Sequence, residues 1–301
     1  MFSEKTSLVI PTRNRPIYLK NTLDQIIKHK VEFLEILVID SSDKVYEEPI
    51  NEIIKNYKIK YFHSQPSTSI QRNIGIENMS KESKFVMFLD DDITFEKDMF
   101  QKMNKTIIEN ADDENIIAYG FNQIQKIKKF DFIEKTKNIF LFNIFDLYHK
   151  TPGKVALSGW QTKILNIKRD LFVDWIYTTA CIYKSNEIND LRFDVNFGKY
   201  GYLEDLDFSL NFYRSNKKIL ISADAKYFHP LSIDRSSFKF GVYETRNRYK
   251  IVKKYKLSKI RFFFMTLIRT TILLTSIFIF KKKSFNRGLG NIYGIINCYK
   301  Y

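Results

Sequence analysis

The chain opens with an apolar run, Ser7 to Ile10, that Pro11 closes; Pro16 to His29 then places Ile17, Leu19, Leu23, Ile26 and Ile27 at helical spacing. Pro16 suits a first helical turn, so strand, loop and helix follow in that order. Leu34 to Ile39 is a continuous Leu-rich and β-branched run ending in Asp40-Ser41-Ser42-Asp43, the pattern of a buried parallel strand with a polar loop at its carboxyl end. Tyr46 to Asn56 predicts a helix, Lys58 to Phe62 a strand, Ser67 to Met79 a helix and Phe85 to Leu89 another buried strand. This βαβαβαβ alternation predicts a doubly wound α/β sheet with right-handed crossovers and a ligand crevice at the carboxyl ends of its strands. Farther on, residues 94–110 predict a helix, Ile116 to Phe121 a strand, Leu171 to Tyr183 strand-rich structure and Tyr202 to Ser215 a helix. Between Phe121 and Leu171 no period stands out, and the chain holds no internal repeat.

Charged side chains collect where the fold would place a ligand. Pro11-Thr12-Arg13-Asn14-Arg15 follows the first strand, Asp40 ends the second and Asp90-Asp91-Asp92 ends the fourth. Clustered carboxylates at a strand end are hard oxygen ligands for Mg²⁺ or Mn²⁺, which bind a few carboxylates together with substrate phosphates. An acidic triplet alone reads more readily as a polar turn whose last Asp caps a helix. A lone basic loop residue such as Arg13 or Arg15 is more often solvated than bound to phosphate. Their convergence on one sheet edge favours a site. Glu204-Asp205, with Asp207 close by, opens a predicted helix, where acids stabilise the helix dipole; the functional alternative is a general base. His229, in Tyr227-Phe228-His229-Pro230, becomes a candidate metal ligand only if the fold carries it to Asp92.

Composition narrows the class. With 44% hydrophobic residues and only 6 Pro and 10 Gly, the chain has material for a core and little for flexible spacers. Cys181 and Cys298 match no metal or redox spacing, which indicates a reducing compartment. Met1 to Thr6 lacks the basic and apolar regions of a signal peptide, so a cytoplasmic protein is expected. The net charge of +15 is all in the tail: from Arg235 onward there are sixteen Lys and Arg and one acid, Glu244. A nucleic-acid-binding protein would carry its basic surface among its recognition elements, whereas here the charged part is also the most hydrophobic. A membrane surface fits that combination better.

The ordered motifs identify the chain as a member of a known group. Leu8-Val9-Ile10-Pro11-Thr12-Arg13-Asn14-Arg15-Pro16 resembles the opening strand and nucleotide loop of family 2 glycosyltransferases, which have the GT-A fold, a Rossmann-like mixed and mainly parallel sheet flanked by helices. Ile36 to Ser42 is similar to that family's second strand with its base-contacting Asp, Arg72-Asn73-Ile74-Gly75 to its RN-x-G helix, Phe88 to Asp92 to its metal-binding DXD element, and Glu204-Asp205-Leu206-Asp207 to its ED motif. Arg287-Gly288, Gly290 and Gly294 are similar to a glycine pattern near the C-terminus of some members. The resemblance implies an inverting transfer from a nucleotide-diphosphate sugar to a lipid-linked or growing glycan, of the bacterial surface-polysaccharide type, with Mn²⁺ or Mg²⁺ as cofactor. It implies that Pro11, Thr12, Arg13, Arg15, Asp40, Arg72, Asn73, Asp90 and Asp91 hold the nucleotide sugar, that Asp92 with His229 holds the metal, and that Asp205, with Glu204, is catalytic. It also implies a division into a nucleotide-sugar-binding half (1–110), an acceptor-binding and catalytic half (111–235), and a basic, apolar helical segment (236–301).

The chain departs from one branch of the family: no Gln-x-x-Arg-Trp element follows the ED motif, since Trp160 and Trp175 both precede it. That favours one sugar per encounter over processive polymerisation. Both tryptophans are weak candidates for stacking on acceptor sugar, with buried packing the commoner role. In the tail, Phe262 to Phe280 is long enough to span a bilayer, but the central Arg269 costs about 2.5 to 3.5 kcal/mol on insertion scales. Helices lying in the membrane interface, with Lys281-Lys282-Lys283 toward anionic headgroups, are expected on the inner face of the cell membrane. A span or a buried helical hairpin are the alternatives. Two rival functions remain, a non-catalytic nucleotide-sugar or membrane adaptor and a metal-dependent nucleotidyltransferase; the latter is disfavoured because no Gly-rich triphosphate loop follows the first strand.

Overall fold

A computed structural model describes residues 1–125, 140–198, 201–230, 235–279 and 283–300. The residues cluster into two compact units, 1–125 with 164–230, and 126–163 with 231–301.

The first unit is built on a nine-stranded mixed sheet. Strands β1 (Thr6–Thr12), β2 (Glu35–Asp40), β3 (Lys60–His63) and β4 (Phe85–Leu89) are all parallel, with β1 between β2 and β4 and β3 outside β2. Helices α1 (Pro16–Lys28), α2 (Glu47–Asn56) and α3 (Thr68–Asn78) make the crossovers. The alternation read from the sequence is therefore the one that forms, with boundaries moved by a residue or two. Leu8, Ile10, Val38, Met87 and Leu89 are buried in one core with Leu19, Leu23 and Ile26 of α1.

Beyond β4 the sheet ceases to be purely parallel. Two more strands, β5 (Thr94–Phe95) and β6 (Ile116–Ile124), lie on either side of α4 (Met99–Glu109). They are followed by β7 (Leu171–Val173), β8 (Ala180–Lys184) and β9 (Lys218–Phe228). β8 runs antiparallel to both β4 and β6, and β9 runs parallel to β6. Two reversals restore direction, so the carboxyl end of β9 reaches the same sheet edge as that of β4. The helix expected at 94–110 is corrected: Thr94 and Phe95 pair with Phe228 and Tyr227, and α4 starts only after Asp98 in a left-handed conformation. Sheet pairing across the chain overrides the local helical pattern there. The helix expected at Tyr202–Ser215 shortens to α7 (Glu204–Ser209) followed by a 3₁₀ turn at Leu210–Phe212; a short helix, α6, spans Ser185–Ile188.

The second unit contains α5 (Phe140–Ile144) and three longer helices, α8 (Phe238–Lys254), α9 (Lys259–Ile279) and α10 (Lys283–Asn297). The glycines of the C-terminal pattern are the points of close approach. A Cβ at Gly290 would overlap the Phe238 carbonyl, one at Gly241 the Arg287 carbonyl, and one at Gly294 the side chain of Thr245. The tail's one acid, Glu244, is buried in a bidentate pair with Arg287 (Nη2 to Oε1 2.7 Å, Nε to Oε2 3.0 Å). Arg269 does not face outward from α9: it is buried over the Trp160 indole, 3.8 Å from the ring centroid, and Arg248 lies over the same ring at 3.7 Å. Among the described residues no helix is long and apolar enough to cross a membrane. Lys281 and Lys282 lie outside the described residues.

Candidate active site

The carboxyl ends of β1, β2 and β4 lie side by side, as the strand register requires: Thr12 sits opposite Asp40, and Asp90 follows Leu89. Pro11 and Thr12 are buried at the end of β1, and Thr12 Oγ1 donates to Asp91 Oδ2 at 2.6 Å. Arg15, half-buried, reaches Asp92 Oδ2 at 2.8 Å and Asp91 Oδ1 at 3.4 Å. Arg13 points instead to the surface, 3.5 Å from Asp43. Asp40 is buried; its Oδ1 accepts from the Ser42 amide (2.9 Å) and hydroxyl (2.5 Å), and its Oδ2 from Tyr61 Oη at 3.0 Å.

The three aspartates divide into different roles. Asp91 is buried, and that desolvation pushes its carboxyl up to about 7 against the pull of Thr12 and Arg15. It ties β1, α1 and the triplet together, because its backbone carbonyl also accepts from Thr22 Oγ1 at 2.9 Å. Asp92 is opposed by burial too, but the hydrogen bond and charge of His229 together with Arg15 hold it below the usual carboxylate range. Asp90, Asp92 and His229 each offer a ligand atom, all within 4.8 Å of one another. Two carboxylate oxygens and one imidazole nitrogen form a mixed, mainly hard donor set, which fits Mn²⁺ or Mg²⁺ with phosphate and water completing the shell. The reason His229 arrives here is sheet register: β5, just after Asp92, pairs with the end of β9, just before His229.

Arg72 stands between that cluster and α7. It is buried, donating from Nη2 to Asp90 Oδ1 at 3.0 Å and from Nη1 to Glu204 Oε1. Burial would lower its pKa, but the charges of Glu204, Asp90 and, among others, Asp205 outweigh that and hold it ionised. Glu204 is therefore turned inward, whereas Asp205, the next residue on the helix, is half-buried, with Oδ1 accepting from the Leu206 amide at 2.8 Å. Cys181, buried in β8, has its thiol pushed up by burial, with Arg72 pulling it down and Asp90 and Asp205 adding to the rise. Asn73 faces the chain rather than the crevice: it exchanges two hydrogen bonds with the Phe193 backbone (2.7 and 2.9 Å). Trp160 and Trp175 are buried at 3% and 2% exposure, which leaves neither indole a face for a sugar. Residues that the sequence reading passed over are Tyr61 on β3, which holds Asp40, and Ser69 and Gln71 on α3, whose only signal was membership of the RN-x-G helix.

A family model described as "Glycosyl transferase family 2" matches residues 7–158. The Minor teichoic acid biosynthesis protein GgaA of Bacillus subtilis is 24% identical over 81% of this chain and 51% of its own length. Glycosyltransferase GlyA of Streptococcus pneumoniae is 26% identical over 67% of this chain and 28% of its own. The chain thus spans about half or less of these relatives. Among solved structures, S. aureus TarS 1–349 superposes with a TM-score of 0.55 at 16% identity, covering 98% of this chain and 80% of that one. The mannosyltransferase PcManGT from Pyrobaculum calidifontis, in complex with GDP-Man and Mn²⁺, gives 0.56 at 12% identity, with 98% and 81% covered. At such identities the likeness establishes the fold, which is of the GT-A type.

Proposed function

We propose, from the premise that the chain belongs to glycosyl transferase family 2, that it moves a sugar from a nucleotide-diphosphate donor to a hydroxyl of a lipid-linked or growing glycan, inverting the anomeric carbon, in cell-surface polysaccharide synthesis. The observation that carries this reading is the meeting of Asp90, Asp92 and His229 at one sheet edge, with Arg72 joining Asp90 to the helix that bears Asp205. Relatives support the substrate class: GgaA is named for minor teichoic acid biosynthesis, and TarS is solved with UDP-GlcNAc.

In this reading the loop Pro11–Arg15 and Asp40 receive the base and ribose, and Asp90 orients the ribose. Arg15, half exposed beside Asp92, is placed to turn to a phosphate. Asp92 and His229, with Asp90, hold Mn²⁺ or Mg²⁺, which when bound neutralises the charge of the departing diphosphate. Asp205 takes the proton of the acceptor hydroxyl as that oxygen bonds to the anomeric carbon. Residues 1–234 carry no net charge, whereas the basic tail, with its exposed apolar residues, suits the inner face of the cell membrane, where a lipid-linked acceptor would be met.

The test is a thermal-shift panel of nucleotide-diphosphate sugars with and without Mn²⁺. The true donor raises the midpoint by mass action, and only with metal present. With that donor, Asp205→Asn should keep binding and lose transfer by about 10²- to 10⁴-fold. A binder without turnover would give no product in the wild type, and a nucleotidyltransferase would release pyrophosphate from a nucleoside triphosphate; either result ends the proposal.

A further inference from the structure

We infer that helix α3 is the jig that sets the general base against the donor loop, and that Glu204 is a positioning residue within it, acting on Asp205 through the chain. The inference rests on Asp205 being the base.

The argument begins with what α3 grips. Toward the donor loop, Gln71 is buried and its Nε2 donates to two backbone carbonyls at adjacent strand ends, Thr12 O at 2.8 Å and Ile39 O at 2.7 Å. One turn on, Gly75 lies against β1 so closely that a Cβ would overlap the methyl groups of Val9. The helix is thereby fixed to the strands that carry the nucleotide loop and Asp40. A second grip points toward the base. Ser69, Arg72 and Asn73 stand at i, i+3 and i+4, on one face of the helix. Ser69 Oγ donates to Asp194 O at 3.2 Å and to Glu204, Arg72 donates to Glu204, and Asn73 pairs with both backbone groups of Phe193. One helix face thus holds the chain before the base, at Phe193 and Asp194, and the base's own neighbour, Glu204.

The local backbone shows how firmly Glu204 is seated. Leu203 adopts φ +73° and Gly201 φ +63°, both in the left-handed region, and the Glu204 amide closes a turn onto Gly201 O at 2.9 Å. A Cβ at Gly201 would overlap the Glu204 carboxylate and the Thr68 hydroxyl, so a larger residue there must displace one of them. Successive side chains on a helix leave it about 100° apart. Once Glu204 is anchored inward to Arg72 and Ser69, the direction of Asp205 follows, and it lies half-buried rather than turned into the protein. Arg72, shared between Glu204 and Asp90, relates that direction to the cation-binding carboxylates. Asn73 and Glu204, read from the sequence as a donor contact and a catalytic carboxylate, take positioning roles instead.

The test uses the full chain with its donor, Mn²⁺ and an acceptor, measuring donor affinity by thermal shift, and kcat and KM separately. Glu204→Gln keeps the shape of the side chain and removes its charge; the expected result is a kcat at least tenfold lower with donor affinity within about twofold of wild type. Ser69→Ala, which removes the hydroxyl that reaches Glu204 and Asp194 O, should shift kcat the same way by a smaller factor, and it decides the matter if Glu204→Gln does not fold. Wild-type kcat in either folded variant, or loss of donor affinity in step with kcat, overturns the inference. If instead Asp205→Asn retains full transfer, the failure lies in the choice of base and not in the jig.

Discussion

His229 Nε2 lies 3.1 Å from Asp92 Oδ1, a contact between the turn after β4 and the end of β9. Burial lowers the affinity of this imidazole for its proton, yet the Asp92 hydrogen bond and the Asp90 and Asp92 charges raise it more, so in the absence of a cation the two side chains satisfy one another. A divalent ion would replace that proton. Replacing His229 by Ala or Asp92 by Asn should weaken Mn²⁺ binding by more than the ~10- to 100-fold typical of outer-shell partners. Calorimetric titration of Mn²⁺ in the presence of nucleoside diphosphate checks this, and unchanged affinity in both variants would remove the cluster from consideration.

The Glu244–Arg287 pair makes a pH-dependent contribution to stability. Burial opposes ionisation of Glu244, but Arg287, Arg269 and Arg248 overcome it and hold its pKa below the ordinary 4.5. A carboxylate depressed in the folded state stabilises fully above its unfolded pKa, and the contribution is lost as pH falls through the folded value. Glu244→Gln should therefore cost about 3 to 5 kcal/mol at pH 7, as expected when a buried pair loses one partner. Urea denaturation at pH 7 and at stepwise lower pH should show the gap to wild type narrowing below about pH 4.5.

Gly290 offers a test of helix packing in which two effects oppose. Alanine is about 1 kcal/mol better than glycine inside a helix, but here its Cβ would overlap the backbone carbonyl of Phe238 on α8. Backbone cannot step aside as a flexible side chain can. Gly290→Ala should be net destabilising by about 1 to 3 kcal/mol, read as a lower denaturation midpoint; a stabilised variant would mean that α8 and α10 are farther apart.

On α9, Ile260, Phe264 and Leu267 are exposed along one stripe, and the stripe continues through Thr271 and Thr275, whose hydroxyls donate back to Leu267 O and Thr271 O. Its N-terminal end adjoins exposed Lys253, Lys254, Lys256 and Lys259. An apolar stripe beside lysines suits an anionic bilayer surface. Replacing Ile260, Phe264 and Leu267 together by Ser should lower partition onto vesicles containing anionic lipid by about tenfold or more without lowering the thermal midpoint. Equal partition of variant and wild type would remove this face from the membrane.

The parallel half of the sheet was legible because it is coded locally. Strands buried on both faces demand unbroken apolar runs such as Ile36–Ile39, and their carboxyl ends must be polar to meet solvent or ligand, so Thr12, Asp40 and Asp90 could be located before any coordinate was known. β5 and β9 were not legible in this way. Two residues of strand carry no period, and they form because Thr94 and Phe95 find Phe228 and Tyr227 far along the chain.

By itself, then, the sequence determined the α/β alternation, the order of the motifs, and the segregation of all excess positive charge into the tail, since each depends on neighbours along the chain. Only the tertiary structure decided which charged groups meet. His229 joins Asp92 because antiparallel pairing at β5 and β9 sets their register, and Glu204 parts from Asp205 because Arg72 on α3 captures the Glu204 carboxylate while Asp205 stays half-buried. Arg269, a charge in an apolar helix, is accounted for by the stacked indole of Trp160. Such pairings depend on distances through space, which spacing along a chain does not encode.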